Sequence, residues 1–232
     1  MMKLKICGLK HPDNARQLLT LAPDYLGFIF YKKSPRYVGE PADLDWVKNL
    51  PGPTQKVGVF VNEDVEIMKK TAELLDLQVI QLHGEESPEV CSFLKEEGLE
   101  VWKAFGVDED FDFGKTKPYA GVADKFLFDT KGKNRGGNGV AFDWSLLGKY
   151  EGETPFVLSG GIGPLPLTPK GEPTDFQVSE LRKLWRSDNR ASEGSPSGVR
   201  GLTVLDINSR FETEPGLKDF NLVKKFKHEL FS

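Results

Sequence analysis

The chain has 232 residues, 38% hydrophobic and 28% charged, with a formal net charge of −4; these values suit a globular protein with a substantial core. The negative balance argues against nucleic acid or an anionic membrane surface as partner, and no apolar run nears the roughly 20 residues of a membrane span. Two cysteines, Cys7 and Cys91, are too few for a disulfide framework and suit a reducing cytoplasm, with no secretory signal after Lys3 and Lys5. His11, His83 and His228 are isolated and lack metal-ligand spacing, so no metal site is expected.

Short β-rich runs alternate with turns and helical patterns. The first strand is expected at Leu4–Cys7, before a helix over Asp13–Leu21 opened by Pro12. The second covers Tyr25–Phe30, and Asp43 caps a helix at Leu44–Leu50. A third, Lys56–Val61, leads to Asn62 as the cap of Glu63–Leu75, where Val65, Met68, Ala72 and Leu75 recur at helical spacing. After a fourth strand at Val79–Leu82, Ser87 caps a helix that starts at Pro88, runs to Glu97 and stops at Gly98. Strands follow at Glu100–Ala104, Phe126–Asp129, Phe156–Leu158 and Gly201–Asp206. A last helix, Lys218–Leu230, carries Leu222, Phe226 and Leu230 on one stripe.

Eight such units predict an α/β fold, a (β/α)8 TIM barrel in a single domain over 1–232, with no room for a fused second barrel. A doubly wound open sheet is the alternative, because spacing does not show closure. Residues 164–200 form an extended connection between strands 7 and 8. Val178–Trp185 has helical composition between Pro/Gly- and Ser-rich stretches, read as a surface insertion around helix 7, with a lid or partner site as the alternative.

A strand that ends in a polar side chain presents chemistry at one face of a barrel. Lys5 and Cys7 share one strand face and Leu4 and Ile6 the other, so the thiol would point inward beside an ammonium that lowers its pKa toward a general base. A buried, inert cysteine is the bland alternative; for Cys91, mid-helix among apolar neighbours, the inert reading is the expected one. Asp129 ends the sixth strand on the face of Leu127, as a general acid or a turn residue. Gln81 and His83 face one way at the end of strand four, as a polar pocket wall or a structural pair. Arg36, in Ser34-Pro35-Arg36-Tyr37, offers a fork for a carboxylate or is a surface arginine in a proline turn. Ser159-Gly160-Gly161 after strand seven and Asn208-Ser209-Arg210 after strand eight sit where barrels often bind phosphate.

Together the segments KICGL (5–9), LGFIFYKKSPRYV (26–38), VGVFVN (57–62), QLHGEE (81–86), KAFGV (103–107), FDTKGKNRGGNGVAFDWSLL (128–147), LSGGI (158–162) and LDINSRFETEPGLKD (205–219) resemble the phosphoribosylanthranilate isomerase family of tryptophan biosynthesis, in family order and over nearly the whole chain outside 164–200. The resemblance implies an Amadori rearrangement in a (β/α)8 barrel without metal or organic cofactor. It implies Cys7 as general base and Asp129 as general acid, and Arg36 on the anthranilate carboxylate. Gln81, His83 and Asp206 would line the substrate pocket, and Gly160, Gly161 and Ser209 would hold the phosphate. Arg210 stands where many family members carry glycine and would add charge to the phosphate grip or turn outward. The expected partner is a phosphorylated small molecule, and the protein a monomer or homodimer. The rivals are another sugar-phosphate barrel, such as indole-glycerol-phosphate synthase, and a catalytically silent phosphate-binding or interaction protein on the same scaffold. Joint presence of Cys7, Arg36 and Asp129 favours the enzyme.

Overall fold

The computed structural model describes residues 2–131, 142–163, 178–189 and 199–232. Eight parallel strands run in chain order: β1 (Lys3–Ile6), β2 (Tyr25–Ile29), β3 (Gln55–Phe60), β4 (Val79–Leu82), β5 (Glu100–Val107), β6 (Lys125–Thr130), β7 (Phe156–Leu158) and β8 (Leu202–Ile207). β1 pairs with β2 on one side and β8 on the other, so the sheet closes and the open-sheet alternative falls. Every expected strand is present; β4 and β7 match to the residue, and the ends of the others shift by at most three residues. Most of the expected 164–200 insertion lies outside the described residues; within it, α5 (Val178–Asn189) extends the expected helix.

The outer layer is built by locally encoded helices. α1 (Pro12–Leu19) begins on a proline whose missing N–H would have been unpaired there in any case. In α3 (Val65–Leu75), Met68, Thr71, Ala72 and Leu75 are buried. Its cap is Asp64, whose carboxylate accepts from Glu66 N and Ile67 N, rather than the expected Asn62. Asn62 has φ 50° and works between loops: its N–H donates to Glu86 and its Oδ1 accepts from Glu85 N. The helix expected at Leu44–Leu50 is reduced to a 3-10 turn, Pro41–Asp43, and the short α2 (Asp45–Lys48), entered from Leu44 and not capped by Asp43. α4 (Pro88–Glu96) keeps its proline start, but Ser87 makes no capping hydrogen bond. α6 (Phe220–Phe231) starts two residues later than expected, capped by Asp219, and buries Val223 where the expected stripe had Leu222. Lys218 belongs instead to a hairpin absent from the expectations, β9 (Glu212–Glu214) and β10 (Leu217–Lys218).

Between β5 and β7 the described connections are 3-10 turns, Phe113–Tyr119 and Trp144–Lys149, in place of long α-helices. An aromatic cluster of Phe105, Phe111, Phe113, Phe128, Tyr150 and Phe156 covers the sheet there, with ring centroids 5.0–6.4 Å apart in neighbouring pairs. Inside the barrel a smaller apolar cluster contains Cys7, Tyr25, Val59, Trp102 and Leu127. Above it, strand alternation turns Lys5, Gln81, Asp129 and Asp206 inward, all buried. Among the described residues, no helix is long and apolar enough to cross a membrane.

Candidate active site

The inward pair of β1 is present, but its electrostatics differ from the sequence expectation. Register sets Lys5 opposite Asp206, and Lys5 Nζ lies 2.8 Å from Asp206 Oδ2 and 2.8 Å from Gln81 Oε1. Burial opposes the Lys5 charge, yet Asp206 and Cys7 beside it hold the ammonium above its usual range. Cys7 is 3% exposed. Burial pushes its thiol pKa up, and Lys5 offsets this only in part, so the expected lowering is reversed. The neighbouring strand leaves the thiol no slack: a Cβ on Gly27 would stand 2.7 Å from Cys7 Sγ. Cys91 is buried in α4 with its pKa pushed up to about 11 by burial, in keeping with the inert reading.

We therefore expect both thiols of the folded, ligand-free protein to react more slowly with a chromogenic disulfide reagent at neutral pH than free cysteine does. Full reaction should return on denaturation; rapid labelling of Cys7 in the folded state would show that its pKa is depressed after all. A thiol pKa raised in the folded state contributes stability that is fully present below the unfolded value of 9.0 and is lost as pH rises from there through the folded value. Unfolding free energy should accordingly decline between those two values.

Asp129 is the penultimate residue of β6, with Oδ1 accepting from Thr130 N at 2.8 Å and Oδ2 lying 3.4 Å from His83 Nε2. His83 Nδ1 is 2.9 Å from Gln81 Nε2. His83 and Asp129 help to line a cavity of about 550 Å³ over the ends of β4 to β6, together with Phe105, Phe111 and Tyr119. Gly160 of the β7 loop lies directly against the carboxyl. Gly160 has φ 82°, and a Cβ there would stand 2.7 Å from Asp129 Oδ1 and 2.5 Å from Thr130 N. Gly160→Ala combines a left-handed backbone penalty of about 1–2 kcal/mol with displacement of Asp129. It should lower both the melting temperature and kcat, the latter by about 10-fold or more; a variant with unchanged kcat would show that the loop does not position Asp129 for any role in turnover.

Arg36 is buried, as a site residue would be, but its fork is occupied from within. Nε lies 2.9 Å from both Glu212 oxygens and Nη2 lies 2.6 Å from Oε2. Its stem passes over Gly8, next to Cys7. Glu212 also takes Lys218 Nζ, which donates to Asn208 Oδ1 at 2.9 Å. The hairpin therefore delivers a buried Arg36–Glu212–Lys218 cluster beside the thiol, and sequence reading missed two of its three members. The Pro215–Gly216 turn between short extended runs was the signal available for that hairpin.

Arg210 turns inward, toward the β7 loop: Nη1 donates to Gly161 O at 2.8 Å and ties the two expected phosphate loops together. Ser209 starts the short 3-10 turn Ser209–Phe211, and Gly160 and Gly161 both adopt positive φ. A second missed feature supports the β4 loop. Lys103 donates to the carbonyls of Leu82 and Gly84 and pairs with Glu86 at 3.2 Å, both side chains being 3% exposed. Glu86 in turn receives the N–H groups of Asn62 and Gly84, so the turn after His83 is held from below.

Residues 4–169 match the family model described as N-(5'phosphoribosyl)anthranilate (PRA) isomerase. The N-(5'-phosphoribosyl)anthranilate isomerase of Parabacteroides distasonis is 40% identical over 230 residues, covering 99% of this chain and 93% of its own. That of Phocaeicola vulgatus is 37% identical over 229 residues, covering 99% and 98%. Among solved structures, phosphoribosyl anthranilate isomerase from Thermotoga maritima superposes with a TM-score of 0.78 at 31% identity, covering 99% of this chain and 98% of that one. A phosphoribosyl anthranilate isomerase in complex with reduced 1-(o-carboxyphenylamino)-1-deoxyribulose 5-phosphate gives 0.76 at 31% identity, with the same coverage. A closed barrel that carries Cys7, Arg36 and Asp129 at its C-terminal mouth, with this similarity along its length, belongs to the phosphoribosylanthranilate isomerase family.

Proposed function

We propose that the protein catalyses the Amadori rearrangement of N-(5-phosphoribosyl)anthranilate to 1-(2-carboxyphenylamino)-1-deoxyribulose 5-phosphate by general acid–base catalysis. The observation that carries the reading is topological. The glycine loop of β7 and the Ser209 turn of β8 lie between the carboxyl on β6 and the thiol on β1. A phosphate anchored by those loops would place its sugar within reach of both groups.

Asp129 protonates the ribose ring oxygen as the C1′–O bond opens, leaving a protonated Schiff base. The cationic imine acidifies C2′, and Cys7 as thiolate removes that proton to give an enolamine, which tautomerises to the ketone. Lys5 and Lys218 are the two ammonium groups that pull the Cys7 pKa down against its burial, and they would support the thiolate in the closed complex. Asp206 Oδ1 is buried without a hydrogen-bond partner among the described residues, an acceptor suited to a substrate hydroxyl. Arg36 has its Nη1 edge left for the anthranilate carboxylate, with Glu212 holding the other edge in place. Gly160, Gly161 and Ser209 offer the phosphate site, and Arg210 both braces the loops and adds positive charge beside it. The reading treats the chain as one barrel domain working in the cytoplasm, in keeping with two free thiols.

The test is loss of substrate fluorescence on mixing purified protein with freshly generated phosphoribosylanthranilate, with and without chelator. Chelator-insensitive turnover above spontaneous decay is expected. A folded protein with no such turnover would leave only a phosphate-binding scaffold.

A further inference from the structure

Gln81 is 2% exposed, and its side-chain amide is held at both ends. Its Oε1 accepts from Lys5 Nζ at 2.8 Å, and its Nε2 lies 2.9 Å from His83 Nδ1. An ammonium has only donors, so the amide oxygen faces Lys5 and the amide NH2 faces the ring. In the neutral imidazole Nδ1 is then the acceptor, and the ring proton sits on Nε2, 3.4 Å from Asp129 Oδ2. Lys5 cannot turn to offer another arrangement, because it is fully buried and also holds Asp206 at 2.8 Å. The direction of these bonds is thus set on β8 and β1 and carried through β4 to β6.

We propose that Lys5 and Gln81 are positioning residues that fix His83 as the Nε2–H tautomer, so that its ring N–H donates to Asp129 as that carboxyl delivers its proton. The proposal rests on Asp129 serving as the acid of the isomerase. Thr130 N already donates to Oδ1, and a second donor at Oδ2 completes a two-donor cradle for the carboxylate left behind. The opposite tautomer would turn a lone pair toward Oδ2, holding the proton on Asp129 and repelling the anion. Catalytic hydrogen bonds that are long in a free enzyme commonly tighten in the substrate complex, and 3.4 Å requires only a small approach. Gln81 thereby acts through its neighbours, and its side chain fixes a proton position two bonds of the network away.

Nitrogen NMR of the full chain labelled with 15N-histidine reads the tautomer directly. The His83 signals are assigned by their loss in His83→Gln, and spectra are taken at about pH 8, where an ordinary imidazole is neutral. The expected spectrum shows a protonated Nε2 and a bare Nδ1. Gln81→Glu presents a carboxylate to the ring, so Nδ1 should gain a proton and kcat should fall at least about 10-fold, with KM changing less than about 3-fold. Gln81→Met removes the donor without supplying an acceptor and should give mixed tautomers with a smaller loss of kcat. A wild-type spectrum with the proton on Nδ1 would overturn the proposal even if Gln81→Glu fails to fold. So would a folded Gln81→Glu that keeps the Nε2–H signature or the full kcat. Because the tautomer is read without turnover, failure of the isomerase assignment shows separately, as an inactive protein.

Discussion

Cys7→Ala and Asp129→Asn should each lower kcat by at least about 100-fold while leaving the barrel folded, since one positioned proton transfer contributes roughly 10²–10⁴. The two losses have different physical origins. In the proposed mechanism, removing the thiol leaves C2′ without a base; its small side chain is one of many in the interior apolar cluster, so the cavity left behind should cost only about 1 kcal/mol. Asparagine preserves the shape of Asp129 and the bond from Thr130 N, but it has no proton to deliver to the ring oxygen. KM should move little in either variant, because the proposed mechanism gives neither group the anchoring of phosphate or carboxylate. Steady-state fluorescence kinetics on variants with wild-type circular dichroism decide the matter. Turnover within about threefold of wild type in either one would remove that residue from its role. A large rise in KM at unchanged kcat would recast it as a binding group.

The strands were legible because each is a short apolar run closed by a turn, and the inward faces followed from alternation: Lys5 with Cys7, Leu127 with Asp129. Closure was not legible, since it depends on β1 meeting β8 some 200 residues later. Errors arose where a side chain acts at long range. Asn62 has the composition of a helix cap, but its amide is engaged by the β4 loop, and Asp64 caps the helix two residues on. Lys5 beside Cys7 in sequence suggested a lowered thiol pKa. Burial and Asp206, neither visible in a local window, reverse the sign. The buried pairs Lys103–Glu86 and Lys218–Glu212 were not singled out from the sequence, which shows that a residue is charged and not that it is enclosed. They matter here because they hold the loops that carry His83 and Arg36.

The largest expected effect on stability is at Glu212. Its side chain is 4% exposed and accepts from Arg36 on one side and Lys218 on the other. Burial alone would push the carboxyl up, but those two cations overcome it and hold the pKa below its ordinary value. Glu212→Gln keeps the volume and removes the charge, which leaves an arginine and a lysine buried side by side. Breaking a buried pair in this way typically costs about 3–5 kcal/mol, because the remaining charge stays desolvated without compensation. Burial already pulls the Lys218 pKa down, and the variant should push it further toward the neutral amine. The double variant Glu212→Gln/Lys218→Met should therefore recover part of the loss. The pH dependence has a definite sign. A depressed carboxyl pKa contributes stability above its unfolded value of 4.5 and loses it as pH falls through the folded value below that. Wild-type protein should lose this increment in acid, and Glu212→Gln should lack that part of the slope. Urea unfolding at neutral and acidic pH reads both effects. A destabilisation below about 1 kcal/mol with an unchanged acid slope would mean that water or another group already screens the two cations. In that case Arg36 would not depend on Glu212 for its position, and its remaining edge would have to be aligned by the substrate itself.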